Sequence, residues 1–114
     1  MSQGLATAWL KNGVGQFIKP DVRSSKAFLA QQIVNKKGVV SFQYTAPIKN
    51  GYNLSLVSYA LAPAGRGAAA DKLVAGFLTD FVKSCAPAEA AKIGYVAIDG
   101  QLRTTALNLI ELIG

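Results

Sequence analysis

Two parts of this chain carry a hydrophobic rhythm regular enough to assign. Over residues 68–84, Leu73, Val74, Phe77, Leu78, Phe81 and Val82 recur at i, i+3 and i+4, the stripe of an amphipathic helix. Gly76 lies inside that run, where it costs about 1 kcal/mol relative to alanine. Pro87 is expected to stop the helix, since it lacks an N–H and its ring crowds the preceding turn. Over 39–48 and 52–62 the period falls to two. Val40, Phe42, Tyr44 and Ala46 fall on one side of the first run, and Ser41, Gln43 and Thr45 on the other. In the second run Tyr52, Leu54, Leu56 and Ser58 alternate with Asn53, Ser55, Val57 and Tyr59. Lys49-Asn50-Gly51 joins the runs, and Asn-Gly is a strong hairpin signal because a type I′ turn needs positive φ at both central positions. Pro47 puts an edge or a bulge near that turn.

The remaining elements follow weaker patterns. Leu5, Ala8, Trp9 and Lys11 predict a short helix over 3–12 that stops at Gly13, followed by a loop or strand up to Pro20. Ser24 or Ser25 caps a helix running to about Asn35, with Phe28, Leu29, Gln32 and Ile33 on one face. Lys36-Lys37-Gly38 ends it, two cations at the negative pole and a glycine in the left-handed position. Residues 63–67 form a loop carrying Arg66, 93–98 read as a strand, and Asp99-Gly100 as a second tight turn. Between Leu102 and Ile113 the apolar positions fit a helix and, less cleanly, an alternation; the Asp-Gly turn favours a returning strand, which is the expectation here. The whole predicts one domain over 1–114 of the α+β class: a small antiparallel sheet built on β-hairpins, with helices packed on one face. The Phe/Leu face of the sheet would meet the helix at 68–84. The opposite face, with Ser41, Gln43, Thr45, Asn53, Ser55 and Tyr59, would be polar yet uncharged.

Charge changes the picture most. Residues 1–66 hold eight cations against the single acid Asp21, a net of +7, whereas residues 67–114 carry −1, for +6 in total. A field this lopsided draws a polyanion or an acidic surface to one part of the molecule. Charged residues make up only 16 % of the chain against 51 % hydrophobic ones. A typical domain is about a quarter charged, so a chain of 114 residues is left with neutral surface suited to contact with another copy of itself. No stretch approaches the ~20 apolar residues of a membrane helix. Met1-Ser2-Gln3-Gly4 lacks the basic start of a signal peptide, so a cytoplasmic setting, or one within a nucleoprotein particle, is expected.

The inventory argues against catalysis. There is no histidine, and the six acids are scattered, so no metal or cofactor site is expected. Cys85 is the sole cysteine and has no base to activate it; a small buried apolar side chain is the simpler role. Gly13-Val14-Gly15 and Gly65-Arg66-Gly67 lack the Lys-Ser/Thr of a phosphate loop and read as turns. No small-molecule substrate is implied.

What remains is binding. Lys36, Lys37, Lys49 and Arg66 at turns and element ends, with Gln43, Asn53 and Tyr59 on the uncharged face, predict a non-enzymatic, self-associating protein that holds single-stranded DNA or RNA with little sequence preference. Trp9, Phe17 and Tyr52 add rings for stacking. Both a single-strand binder and a coat that packages nucleic acid fit these features. The alternative is a basic adaptor or inhibitor that docks on an acidic protein surface.

Overall fold

The computed structural model describes residues 4–114. Two short antiparallel hairpins and a set of helices make up an α+β fold. β1 (Leu10–Lys11) pairs with β2 (Phe17–Ile18), and β3 (Ile33–Val34) with β4 (Val40–Ser41). Between the hairpins lies α1 (Val22–Leu29). After a long connection without regular structure come α2 (Ala69–Asp80), a π turn (Phe81–Cys85), α3 (Ala86–Glu89), a 3-10 turn (Ala90–Ile93) and finally α4 (Gly100–Ile110).

α1 starts where Asp21 caps it. The Asp21 carboxylate accepts the Ser24 N–H at 2.8 Å while the Ser24 hydroxyl accepts the Asp21 N–H at 3.1 Å, a reciprocal capping box. The Ser24 N–H holds the Asp21 carboxyl below its ordinary value. The helix ends five or six residues before the expected Asn35, because the buried Gln32 side chain turns back to donate to the Phe28 carbonyl and accepts the Gln43 N–H at 2.7 Å. Ile33 and Val34 are thereby freed to pair as a strand.

Phe28 is completely buried and is the centre of the N-terminal half. Its ring stacks nearly parallel on Phe42 and Tyr44, with centroids 6.4 and 6.1 Å away. The apolar face of the 39–48 run therefore meets α1, not the helix beginning at 69 as the sequence suggested. Asn12 locks the first hairpin to this cluster. It is buried; its Nδ2 donates to the carbonyls of Ile48 (3.1 Å) and Gly51 (3.3 Å), and its Oδ1 accepts the N–H groups of Val14 and Gln16. Gly13 lets the hairpin tip approach that closely, since a Cβ there would sit 2.4 Å from the Ala46 carbonyl oxygen.

In the C-terminal half α2 and α4 pack on each other, burying Ile110 and Ile113. The 1 %-exposed Asp71, in the first turn of α2, is gripped by both Nε and Nη2 of Arg66. That guanidinium holds the Asp71 carboxyl below the usual carboxylate range. Lys26 and Asp99, 3.2 Å apart, tie α1 to the start of α4.

Several expectations are corrected. Residues 4–12 contain no helix, and Gln3 lies outside the described residues; Trp9 to Lys19 instead fold back as the first hairpin. The 39–48 and 52–62 runs form no ladder with each other: β4 pairs with β3, and a turn closed by the Ala46 N–H on the Gln43 carbonyl breaks the first run. Asn50 takes positive φ (61°) but Gly51 does not, so the type I′ turn expected there is not formed. Gly38 is left-handed (φ 81°) as expected, but it closes the β3–β4 turn and not a helix. Pro87 does not end the helical rod. The Ala86 N–H bonds to the Phe81 carbonyl five residues back, and this widened turn admits the proline ring at the start of α3. Residues 93–98 form no strand, Asp99 directly precedes α4 without a side-chain capping bond where a turn was expected, and 102–113 are mainly helical where a strand was expected.

The molecule is thin and open. Its extents are 50 × 30 × 17 Å and its radius of gyration is 15.9 Å, against about 13 Å for a compact chain of this length. Its accessible surface is 7883 Å², about 1,900 Å² above the ~6,000 Å² usual for a folded 12.0 kDa monomer.

Candidate functional site

The outer face of the β1–β2 hairpin brings charge and aromatic surface together. Lys11 lies opposite Phe17 in the ladder, and the same register continued by one residue sets Trp9 opposite Lys19. Because side chains alternate along a strand, all four fall on one face, while the half-buried Leu10 and Ile18 fall on the other. Trp9, Lys11, Phe17 and Lys19 are all exposed. Two rings and two ammonium groups thus alternate in a checkerboard, with cross-strand Cβ atoms about 5 Å apart. The docking of Asn12 and Gly13 holds the hairpin in place. At its foot Lys19 borders an open cleft of about 360 Å³ between the start of α1 and residues 91–96, with Lys92 and Tyr95 on the far wall.

The electrostatics of this half are nearly uncompensated. Lys11, Lys19, Arg23, Lys36, Lys37 and Lys49 make no ion pair among the described residues. Of the lysines and arginines in residues 4–66, Lys26 and Arg66 are the ones paired among the described residues.

The residues singled out from the sequence are dispersed. Lys36 and Lys37 stand exposed at the β3–β4 tip, where the Lys37 N–H donates to the Asn35 side chain. Gly38 beside them backs onto Leu109 of α4. Lys49 is exposed in the turn closed by the Gly51 N–H on the Ile48 carbonyl. Arg66, expected among the ligand-binding cations, is instead committed to Asp71. Gln43 is exposed, but Asn53 and Tyr59 serve the fold. Asn53 Nδ2 donates to the Tyr44 (2.7 Å) and Ala46 carbonyls, and the Tyr59 hydroxyl accepts the Val40 N–H at 2.9 Å. The expected uncharged sheet face is therefore not a single open surface.

Lys11 and Lys19 were missed because a helix over 3–12 scatters them. The alternation Trp-x-Lys and Phe-x-Lys on either side of Gly13-Val14-Gly15 is the signal that could have found them. Cys85 is exposed, not buried as the sequence suggested. Among the described residues no group of acids and cysteine is placed to hold a metal ion, and no helix is long and apolar enough to cross a membrane. In comparisons with protein families, curated proteins and solved structures, the chain matches none.

Proposed function

We propose that the protein is a non-enzymatic, self-associating binder of single-stranded nucleic acid, and that the β1–β2 hairpin face is its principal contact. The observation that carries this reading is the checkerboard of Trp9, Lys11, Phe17 and Lys19. Unpaired bases stack on exposed rings irrespective of their sequence, and neighbouring ammonium groups neutralise the phosphates between them. Lys36, Lys37 and Lys49 extend the attraction beyond the hairpin, and the open, high-area shape supports assembly into multimers of the kind a packaging protein forms. A cytoplasmic or nucleoprotein setting goes with that role.

Fluorescence anisotropy with a labelled oligonucleotide across a salt series is the test. Contact with 3 to 6 phosphates gives a log–log slope of about −2 to −4. Trp9→Ala and Phe17→Ala should each weaken binding by about 1–3 kcal/mol, the worth of one stacked base. A flat salt response, or full binding by both variants, refutes the reading. Equal competition by polyglutamate would favour an acidic protein partner.

A further inference from the structure

Between Tyr52 and Gly65 the backbone runs without partners. From Asn53 through Ala64 no main-chain group donates to or accepts from another main-chain group among the described residues. The stretch is anchored at its ends by the Tyr52 N–H on the Ser24 carbonyl (3.0 Å) and the Gly65 N–H on the Leu112 carbonyl (3.2 Å). Along one flank Asn53 and Tyr59 hold it antiparallel to residues 40–46 through side chains alone. The residue types are those of a strand, with the apolar/polar alternation already noted. Leu56 is 73 % and Leu61 95 % exposed, and Leu54 is exposed with them.

An unpaired segment with strand-forming residue types is a template for another strand. Charge identifies which one. No charged residue occurs from Asn50 to Gly65, the neutral gap between Lys49 and Arg66. Two copies of a +6 chain repel wherever their basic surfaces meet, and this edge offers contact without that cost. An antiparallel pair about a two-fold axis also matches the edge's donors and acceptors to those of its own copy. The area agrees: the surplus of about 1,900 Å² exceeds the ~800 Å² per partner of a standard stable interface.

We propose that residues 53–64 form a subunit interface, pairing antiparallel with the same segment of a second copy. The proposal rests on the self-association half of the reading above and not on nucleic-acid binding. It is tested by light scattering at micromolar concentration on the wild type and on Leu56→Glu with Leu61→Glu. Both side chains are exposed, so the subunit should fold unchanged, checked by circular dichroism. The substitutions also lower the net charge, so general repulsion falls. The wild type should have at least twice the 12.0 kDa chain mass, and the variant should fall to the monomer. A Phe77→Glu variant, on the exposed α2 face, should stay assembled. Hydrogen exchange should find amides in 54–62 protected at high protein concentration and released on dilution. A double variant that remains assembled, or an assembled wild type with those amides unprotected, overturns the interface and leaves self-association standing. A monomeric wild type overturns both.

Discussion

Replacing Asn12 tests how much its amide adds to the Gln16 side chain, which donates to Asn50 Oδ1 and accepts the Asn50 N–H, in holding the hairpin that carries the candidate site. In the native chain Asn12 Nδ2 supplies the Gly51 carbonyl with its hydrogen bond and shares the Ile48 carbonyl with the Gly51 N–H. Asn12→Ala leaves Ile48 one partner but strands the carbonyl of the buried Gly51. The lost bonds to the Val14 and Gln16 N–H groups cost less, because those residues are partly or fully exposed. One stranded acceptor and two weak local bonds amount to about 2–3 kcal/mol. With a denaturant slope of about 1–3 kcal/mol/M in urea, the midpoint should fall by about 0.7–3 M. Wild type and variant must be compared at one protein concentration, since association shifts apparent stability. Asn12→Asp keeps the acceptor but turns a carboxylate oxygen toward two carbonyls, and should be worse than alanine at neutral pH. An alanine variant within about 0.5 kcal/mol of wild type, or an aspartate variant as stable as wild type, would refute the account.

Gly13→Ala pushes a methyl group into the Ala46 backbone. It should cost about 1–3 kcal/mol by thermal melting and weaken oligonucleotide binding by displacing the hairpin. Asp71 is held below its ordinary value by Arg66, so the pair stabilises the fold fully above the unfolded carboxylate value of about 3.9 and loses that effect as pH falls through the lower folded value. Acid titration followed by circular dichroism should therefore find a stability loss below about pH 4 that shrinks in Asp71→Asn. Charge reversal at Lys49, and at Lys36 with Lys37, should each flatten the salt slope of binding by near-additive amounts. Loss from only one of these changes would confine the ligand to a local patch.

What could be read from the sequence was what depends on near neighbours. The stripe from Leu73 to Val82 is contained within three turns, and α2 and the π turn follow it. Positive φ at Gly38 and Asn50 was also legible, because it is a property of the residue. The element each turn would serve was not. Asp99-Gly100 suits the start of a helix as well as a hairpin turn, and the contacts of α4 with α2 and β3 favour the helix. The Asn-Gly hairpin forms no ladder because Gln32 and β3 take the hydrogen-bonding groups of residues 40–43. Within the site, Trp9 and Phe17 were legible as exposed rings, while Lys11 and Lys19 required the hairpin register that sets them between those rings. Arg66 looked free because its partner Asp71 is concealed inside α2.

The π turn sets the phase of the rod it interrupts. Ala90 follows Asp71 by nineteen positions, and at about 100° per residue an unbroken α-helix would leave it roughly 100° round from Asp71. The turn at Phe81–Cys85 acts as one inserted residue and takes back about that angle. Asp71 and Ala90, at opposite ends of the rod, therefore both face inward and are both buried. Leu73, Phe77 and Phe81 share an outward side before the turn, and the side chains after it start from a new azimuth. Removing one residue from Phe81–Cys85 would straighten the hydrogen bonding and swing Ala86 and everything after it about the rod's axis, carrying Lys92 and Tyr95 away from the cleft beside Lys19.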